Sequence, residues 1–557
     1  MKTIIYQTFP RLFGNFNEKL IWNGSLSENG CGKFNSYTDK ALAAIKDLGI
    51  THIWFMGVIR HSTCTAYQDY GIEKDHCAIV KGKAGSPYAI KDYYDVDCDL
   101  AEKVKERMSE FESLIKRTHK AGMKVIVDFV PNHVARSYKS LMKPAYIEDL
   151  GQNDHTSCVF DPVNNFYYLP GQYLELQREE AEEDFDYSEF PAKVTGNDCF
   201  KDVPDRNDWY ETVKLNYGVD YQNGNEKKFT PLPDTWKKML NILLFWTDKG
   251  VDGFRCDMAE MIPVEFWSWV IPRVKSHKNV SFIAEIYNPS LYYDFINRGK
   301  FDMLYDKVGM YDTLRNVICG KSNVNSLSAC WQSISNIQKH MLYFLENHDE
   351  QRIASDFFAG NSKTGIPAFA YISMLNTNPV MIYNGQELGE QGMDEEGFGG
   401  LDGKTTIFDY WSMKSIRNWA NNGRFDGGKS TVEELSLRNE YRKILHFVSK
   451  EKAFSEGHFY GLDFCNDYSS NRITSFLRKY ERELLLVVIN FDSEAHEVNV
   501  HIPKNAFETL QFRDNTASKT KNLITGKKNI SALTQHSLFR TKVEPNYYNI
   551  IKFRLLT

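Results

Sequence analysis

The sequence predicts an α/β fold, namely a (β/α)8 TIM barrel with an inserted subdomain after its third strand and a C-terminal antiparallel β-sandwich domain. Three observations lead to this prediction. Apolar strand-like runs alternate with helix-like segments over the first two-thirds of the 557 residues, a long polar interval interrupts that alternation, and short alternating strands replace the helices near the C-terminus. Strand–helix units with short connections form parallel sheets, either open or closed.

The first part of the alternation has well-marked helix ends. Thr38 or Asp39 can cap a helix that ends at Gly49, and Gly122 ends a longer helix. A continuous apolar run follows Gly122, as expected for a parallel strand buried on both faces. In order, the predicted elements are a strand at 4–9, a helix at 38–49, a strand at 51–58, a helix at about 102–121 and a strand at 123–130.

The alternation resumes after the polar interval, and several of the predicted strands end in polar residues. Polar candidates at strand ends favour a closed barrel, because barrel active sites collect on the face where the strands end. The predicted elements here are a helix at 236–247, a strand at 251–257, a helix at 265–270, and strands at 280–286, 341–349 and 378–385.

The polar interval and the C-terminal change of pattern divide the chain into three parts. The interval between His133 and Asp234 is far longer than an ordinary connection, so it predicts a subdomain at the barrel mouth. Alternating strands such as 472–478 and 483–491 predict an antiparallel C-terminal domain. The predicted divisions are a barrel of residues 1–133 and 231–450, an inserted subdomain of 134–230 and a C-terminal domain of 451–557.

Composition and charge argue against nucleic-acid and membrane partners. The chain is 42% hydrophobic and 25% charged, and its formal net charge of −6 does not favour binding to an anionic surface. The N-terminal residues contain no apolar run long enough for a signal peptide, and no stretch approaches the length of a membrane span. The 10 cysteines are scattered singly, so we expect a cytoplasmic protein with reduced thiols.

The segment V-D-G-F-R-C-D at 251–257 is the most informative motif. Side chains alternate across a strand, so Arg255 and Asp257 point to one side while Phe254 and Cys256 point to the other. A guanidinium beside a carboxyl favours the charged form of that carboxyl. An ionised, oriented carboxylate is what covalent attack on a sugar carbon requires, although the pair by itself is also explained as a structural ion pair.

Polar residues at the ends of four predicted strands can converge at one barrel mouth. Carboxylates gathered there repel each other, which separates their pKa values and leaves one group as an acid and another as a base or nucleophile. Cleavage of a glycosidic bond needs one carboxyl group that donates a proton and another that acts as base or nucleophile. Taken singly, Asp128 is also explained as a structural partner of an arginine and His133 as a satisfied strand-end histidine, whereas Glu285 at the end of an apolar strand is costly unless it is paired. No H-x-x-x-H or H-x-H spacing supports a zinc site. The candidates are Asp128, Asn132, His133, Arg255, Asp257, Glu285, His348 and Asp349.

Four short motifs occur in order along the chain: D-F-V-P-N-H (128–133), G-F-R-C-D (253–257), A-E-I-Y (284–287) and E-N-H-D (346–349). They resemble the four hallmark regions of the α-amylase family, glycoside hydrolase family 13. The resemblance covers nearly the whole chain. The segments Y-A-I-K-D-Y-Y-D-V-D (88–97) and P-V-M-I-Y-N-G-Q-E-L-G (379–389) resemble those after the family's second and eighth barrel strands.

The resemblance implies a retaining mechanism and a role for each candidate residue. Asp257 would be the nucleophile, Glu285 the general acid/base, and Asp349 the third acid, which grips sugar hydroxyls and distorts the ring. Double displacement at Asp257 would retain the anomeric configuration. The other implied roles are substrate binding by Tyr88, His133, Arg255 and His348, and support of Arg255 by Asp128.

The chain departs from the family pattern at two places. Many α-amylases carry Lys-His three and four residues after the nucleophile, whereas this chain has Glu260 and Met261, so the acceptor side differs. V-K-L-N (213–216) resembles the version with lysine where calcium-binding amylases often have aspartate. Lys214 cannot ligate calcium, so we expect no metal, with Asn132 as a ligand only if a calcium site exists. The chemistry itself requires no cofactor.

These observations predict a retaining glycoside hydrolase that cleaves α-1,4-glucosidic bonds of starch- or glycogen-type glucans or of maltooligosaccharides. The first alternative is an α-glucanotransferase, which shares every catalytic residue and differs in whether water or a sugar hydroxyl is the acceptor. The second is a non-catalytic glucan-binding or transporter-associated barrel. Such relatives typically lose one of the three acids, all of which are present in this chain.

Overall fold

The computed structural model describes residues 2–176, 187–205, 207–514, 516–536 and 538–555. Its centre is a parallel sheet of eight strands in the spatial order β7-β6-β5-β4-β3-β2-β1-β8. Tyr343, directly after β7, closes the sheet into a barrel because its N–H donates to Pro379 O at 3.1 Å and its carbonyl accepts from Met381 N at 2.9 Å. The strands are β1 (Ile4–Thr8), β2 (His52–Phe55), β3 (Lys124–Phe129), β4 (Gly253–Cys256), β5 (Ser281–Ala284), β6 (Met303–Tyr305), β7 (Met341–Leu342) and β8 (Val380–Tyr383).

Amphipathic helices connect most of these strands. Helix α1 begins at Asp39, where Thr38 Oγ1 accepts a hydrogen bond from Ala41 N at 3.2 Å, and its Leu42 and Ile45 are buried in the core. None of the described helices is long and apolar enough to cross a membrane. The helices of this region include α1 (Asp39–Asp47), α2 (Arg107–Lys120), α3 (Asp234–Asp248), α4 (Val264–His277), α5 (Tyr292–Asn297), α6 (Asp312–Ile318), α7 (Asn325–Ser333), α8 (Gly365–Met374), α9 (Lys414–Ala420) and α10 (Val432–Lys450).

The predicted barrel is confirmed, and two of its strands differ from their prediction. No sequence pattern predicts β6, because three residues are too few to show a period. The predicted strand at 341–349 keeps only its first residues in the ladder. The later residues leave the sheet after Tyr343 and carry His348 and Asp349 beyond the end of the barrel wall.

The connection between β3 and α3 forms a small structure of its own, which confirms the inserted subdomain after the third strand. Its first strand, His133–Ala135, begins four residues after β3 and pairs with Thr212–Lys214. Two further antiparallel pairs join Tyr168–Leu169 to Ala192–Lys193 and Val219–Asp220 to Glu226–Lys227. A separate apolar cluster inside the insertion includes Tyr167, Leu169, Leu174, Ala192 and Val194.

The C-terminal region is an antiparallel β structure, as predicted. One sheet has the order β9-β10-β11-β16-β13-β14, and β12 pairs with β15 separately. An apolar cluster that includes Leu477, Leu486, Val500 and Phe553 fills its interior. The strands are β9 (His458–Gly461), β10 (Ile473–Tyr480), β11 (Glu483–Asn490), β12 (His496–His501), β13 (Thr516–Asn522), β14 (Lys528–Leu533), β15 (Leu538–Val543) and β16 (Tyr547–Leu555).

Arg478 on β10 joins the C-terminal sheet to the barrel. Its guanidinium is fully buried and donates to four backbone carbonyl groups. The acceptors are Leu375 O at 2.9 Å, directly after α8, Ala453 O at 3.0 Å, Phe454 O at 3.1 Å and Gly457 O at 2.9 Å. Without Arg478, each of these buried carbonyl oxygens would lose a hydrogen bond. The arginine therefore stabilises the contact between the two regions.

We expect Arg478→Met to lower the free energy of unfolding by about 3–5 kcal/mol. Methionine fills much of the space but leaves several buried carbonyls without a donor, and each unsatisfied group costs about 1–3 kcal/mol. Urea denaturation followed by circular dichroism measures the change. Arg482→Met, at an exposed position, is the matched control and should be nearly neutral. Equal stability of the two variants would contradict the proposed role of Arg478.

Candidate active site

Arg255 lies at the centre of a cluster of carboxylates at the C-terminal end of the barrel. Its Nη1 is 2.6 Å from Asp257 Oδ1 and 3.7 Å from Asp128 Oδ1, and its Nη2 is 2.6 Å from Glu285 Oε1. The arginine side chain is fully buried. The two short contacts lie on different nitrogens of one planar guanidinium, so Asp257 and Glu285 are held beside each other in a defined geometry.

Strand register explains why these side chains meet. On β4, Arg255 pairs with Asp128 on β3 and with Ile283 on β5, which places Glu285 just past the end of the neighbouring strand. Asp257 lies two residues after Arg255 and therefore on the same side of the chain, as the sequence predicts. Parallel strands of a barrel end on one face, so residues far apart in sequence converge there.

Aromatic rings enclose the guanidinium of Arg255. Its Cζ is 5.3 Å from the ring centroid of Trp54, 5.3 Å from that of Tyr88 and 5.6 Å from that of Tyr305. Ring faces attract the cation but do not neutralise it, so Arg255 keeps its positive charge toward the carboxylates. Asp128 is fixed on this cluster because its Oδ2 accepts a hydrogen bond from Gly57 N at 3.1 Å.

Tyr88, His348 and Asp349 form a second group beside the first. The rings of Tyr88 and His348 stack at 5.2 Å, and Tyr88 Oη is 2.6 Å from His348 Nε2. The same Nε2 is 3.0 Å from Asp349 Oδ2, and Gln7 Nε2 is 2.8 Å from His348 Nδ1. The Asp349 side chain is 39% exposed, so it faces the open mouth while its neighbours are buried.

The three acids have different pKa values for physical reasons. Burial, together with the charges of Asp257 and Asp349, raises the pKa of Glu285 to about 7 against the opposing effect of Arg255. Burial also raises the pKa of Asp257, although the ion pair with Arg255 acts in the other direction. His348 holds the pKa of Asp349 down, at about 2, although the cleft partly removes this carboxyl from solvent. One cleft therefore contains a proton donor and ionisable oxygen acceptors near neutral pH.

Glu285 is oriented by neighbours that the sequence patterns do not assign to the site. Its Oε1 accepts from Tyr287 Oη at 2.8 Å, and its Oε2 accepts from Met258 N at 2.8 Å. Met258 has a left-handed backbone with φ of 42°, which is unusual for a non-glycine residue and directs its N–H at Glu285. Glu260 Oε2 accepts from Tyr287 N at 3.1 Å and from Asn288 N at 2.9 Å, so it holds the same loop.

Sequence reasoning missed Tyr287, Gln7 and Trp54 as members of the site. Tyr287 is the last letter of A-E-I-Y, and the alternation of side chains was the available signal that it lies on the same side as Glu285. Gln7 and Trp54 occur on buried strands without a distinguishing pattern. Only the barrel closure shows that they reach His348 and Arg255.

His133 is at the junction between the barrel and the insertion. Its ring centroid lies 5.2 Å from that of Trp209, and its Nδ1 is 3.3 Å from Asn132 Nδ2. Burial and the positive charge of Lys214 lower the pKa of His133 to about 3, so the ring is neutral near neutral pH. The insertion thus adds an aromatic side chain, Trp209, to the edge of the site.

Lys214 contacts Asn132, the residue that would be a calcium ligand if a calcium site existed. Its Nζ is 2.9 Å from Asn132 Oδ1, forms an ion pair with Asp198 and lies 5.0 Å from the ring centroid of Tyr221. The Lys214 side chain is buried. Because an ammonium group already contacts the amide and carboxylate oxygens, these residues do not fit a calcium site. The described residues contain no cluster of three or more His, Cys, Asp or Glu that could hold a metal.

A sequence profile described as "Alpha amylase, catalytic domain" matches residues 7–285. The chain belongs to the alpha-amylase family. Among its family relatives, it is 24% identical to Alpha-amylase 3 of Dictyoglomus thermophilum over 93% of this chain and 90% of that protein. It is 23% identical to a cyclomaltodextrin glucanotransferase of a Bacillus species over 69% of this chain and 49% of that protein.

Solved structures of the alpha-amylase family share the fold. A noncanonic maltogenic alpha-amylase, AmyB from Thermotoga neapolitana, has a TM-score of 0.62 at 22% identity over 100% of this chain and 99% of that one. An alpha-amylase from Geobacillus thermoleovorans, solved with acarbose, has a TM-score of 0.63 at 19% identity over 100% and 99%. The predicted family and fold are therefore confirmed. The profile match ends at Glu285, so it does not extend to Asp349.

We expect Tyr287→Phe to move the alkaline limb of the pH–rate profile to higher pH by about one unit. The Tyr287 hydroxyl donates to the carboxylate form of Glu285, so its loss raises the pKa of Glu285 and keeps the acid protonated for longer. Profiles of kcat/KM against pH measure the shift. Tyr293→Phe, at a position 41% exposed, is the matched control. An unmoved limb, or one moved to lower pH, would contradict this prediction.

We expect a chelator to leave the melting temperature unchanged, because Lys214 supplies the positive charge next to Asn132. Differential scanning calorimetry with and without EDTA measures the melting temperature.

Lys214→Met should lower the melting temperature, because it leaves the buried Asn132 Oδ1 without the ammonium group that donates to it. Lys201→Met, at an exposed position, is the control and should leave the melting temperature unchanged. A melting temperature lowered by EDTA and restored by calcium would show that the interpretation is wrong.

Proposed function

We propose that this protein is a retaining glycosidase that cleaves α-1,4-glucosidic bonds of starch- or glycogen-type glucans or maltooligosaccharides. The observation that carries the proposal is that Asp257 and Glu285 each contact one nitrogen of Arg255 at 2.6 Å, at the mouth of an alpha-amylase-family barrel. Retaining enzymes hold their two carboxyl groups about 5–5.5 Å apart, and a shared guanidinium keeps two carboxylates at short range. The names of its relatives agree with a glucan substrate.

In the proposed first step, an Asp257 oxygen attacks the anomeric carbon, and Glu285 donates its proton to the departing glycosidic oxygen. The raised pKa of Glu285, about 7, keeps this proton available near neutral pH. Arg255 favours the carboxylate form of Asp257 against the effect of burial. The products of the step are a glycosyl ester on Asp257 and a free sugar end.

In the second step, Glu285 acts as a base. Its carboxylate takes a proton from the incoming hydroxyl, whose oxygen attacks the anomeric carbon and releases Asp257. Two inversions restore the original α configuration. Met258 N and Tyr287 Oη stabilise the carboxylate form of Glu285 in this step, because both donate hydrogen bonds to its oxygens.

The remaining residues are proposed to bind the sugar in the cleaved position. Asp349 is ionised and partly exposed, so its oxygens can accept hydrogen bonds from sugar hydroxyls. Tyr88 and His348 stack on each other at the wall of the cleft, and neutral His133 lies next to Tyr88. Asp128 supports Arg255, because its Oδ1 is 3.7 Å from Arg255 Nη1 and its Oδ2 accepts a hydrogen bond from Gly57 N.

The acceptor decides between hydrolysis and transfer, and water is our first choice. The alternative is an α-glucanotransferase, and a cyclomaltodextrin glucanotransferase is among the relatives. The family resemblance places Glu260 on the acceptor side. One of its carboxylate oxygens accepts hydrogen bonds from the backbone N–H groups of Tyr287 and Asn288.

We further propose that the chain divides into a barrel (1–133 and 231–450), an insertion (134–230) and a C-terminal domain (451–557). We also propose a cytoplasmic location.

We expect Asp257→Asn to lower kcat on maltoheptaose by on the order of 10⁴-fold or more while the sugar still binds. Chromatography of the products over time measures turnover, and isothermal titration calorimetry measures binding. Asp467→Asn, at an exposed position of the C-terminal region, is the matched control and should behave as wild type. Unchanged turnover of maltoheptaose by the Asp257→Asn variant would contradict the proposed mechanism.

The same time course separates the two acceptors. Only sugars shorter than maltoheptaose indicate hydrolysis, whereas longer sugars indicate that transfer dominates. Proton NMR of the first released reducing ends should show the α anomer, because two inversions give retention. The β anomer would contradict the double displacement.

A further inference from the structure

Two cysteines lie in contact on the segment that leads from β2 towards Tyr88. Cys64 Sγ and Cys77 Sγ are 3.1 Å apart, although the residues are 13 positions apart in sequence. Carbon atoms in ordinary van der Waals contact are about 3.5–4.0 Å apart, so the two larger sulfur atoms are closer than a non-bonded contact allows comfortably. Cys77 is exposed and Cys64 is half-buried, which leaves the pair accessible from solvent.

Backbone hydrogen bonds hold the two cysteines together independently of their side chains. Asp75 N donates to Thr63 O at 2.9 Å, and Asp75 Oδ2 accepts from Thr63 N at 3.2 Å. Cys64 N donates to Lys83 O at 3.1 Å. Thr63, directly before Cys64, is therefore paired with Asp75, two residues before Cys77, and this pairing brings the two cysteines near each other.

The surroundings of Cys77 favour its thiolate. The Cys64 thiol beside it and the positive charges of Lys74 and Lys83 lower the pKa of Cys77 to about 6, although burial acts in the opposite direction. The thiolate is the nucleophile in thiol–disulfide exchange, so Cys77 can react first. Cys64 is the partner that stays protonated, since its contact with Cys77 raises its pKa.

We propose that Cys64 and Cys77 are a redox modification site at which a low-molecular-weight disulfide, such as glutathione disulfide, converts the two thiols into a reversible protein disulfide. The Cys77 thiolate attacks one sulfur of glutathione disulfide, forms a mixed disulfide and releases one glutathione thiolate. Cys64 then loses its proton to solvent and attacks Cys77 Sγ, which releases the second glutathione. The protein thiols lose two electrons, and glutathione disulfide gains them.

The position of this disulfide gives it a defined structural effect. The segment that contains both cysteines is closed at its base, because Ser62 N donates to Ala89 O at 2.9 Å. Ala89 directly follows Tyr88. Tyr88 in turn contacts His348 through its ring and hydroxyl. A covalent link between Cys64 and Cys77 restricts the segment, so we expect the oxidised protein to melt at a higher temperature than the reduced protein.

The test uses the full chain in buffers of reduced and oxidised glutathione. In excess glutathione disulfide, we expect intact-protein mass spectrometry to show the loss of two hydrogen atoms, and peptide mapping to show Cys64 linked to Cys77. Cys64→Ser should instead keep one glutathione on Cys77, because no second thiol can displace it. Cys158→Ser, which removes a cysteine of the insertion, is the matched control and should form the link like wild type.

Two results would overturn the proposal. One is a wild-type protein that carries a persistent glutathione on Cys77 with Cys64 still free, which would show that the pair cannot close. The other is a wild-type protein that keeps both thiols reduced in excess glutathione disulfide. Because the readouts are masses and linked peptides, the outcome is independent of whether the protein cleaves glucans.

Discussion

The buried guanidinium of Arg255 is the interaction on which the rest of the site depends. It contacts Asp257 and Glu285 at 2.6 Å each and Asp128 at 3.7 Å, and three aromatic rings enclose it. Carboxylates gathered in a closed barrel mouth would repel each other without this charge, and the guanidinium would be costly to bury without them. Each partner therefore requires the other, and together they hold Asp257 and Glu285 side by side.

The balance of burial and charge around Arg255 also gives the three acids different pKa values. Burial raises the pKa of Glu285 and of Asp257, whereas His348 lowers that of the more exposed Asp349. A group that holds a proton near pH 7 is therefore adjacent to groups that bear negative charge more readily. Tyr287, after β5, and Met258, after β4, each donate a hydrogen bond to Glu285, so both loops orient this carboxyl group.

The insertion contributes Trp209 to the edge of the site and the ammonium group of Lys214 to its junction with the barrel. Lys214 contacts Asn132 and Asp198 where the sequence resemblance raises the question of calcium. The ammonium group belongs to a strand that pairs with His133–Ala135, so it lies where the insertion joins the barrel. The same pairing places His133 beside Tyr88 and Trp209.

The sequence by itself determined the fold class and predicted the main acids, because both are expressed in local patterns. Alternating strands and helices predict the barrel, and the motifs around Asp128, Arg255, Glu285 and Asp349 occur at predicted strand ends. Only the tertiary structure decided which atoms meet. Contacts such as that of Gln7 with His348 depend on closure of the barrel between strands far apart in the chain, and the contact of Cys64 with Cys77 depends on a folded loop. Neither closure nor loop path leaves a periodic signal, because each depends on long-range packing rather than on neighbouring residues.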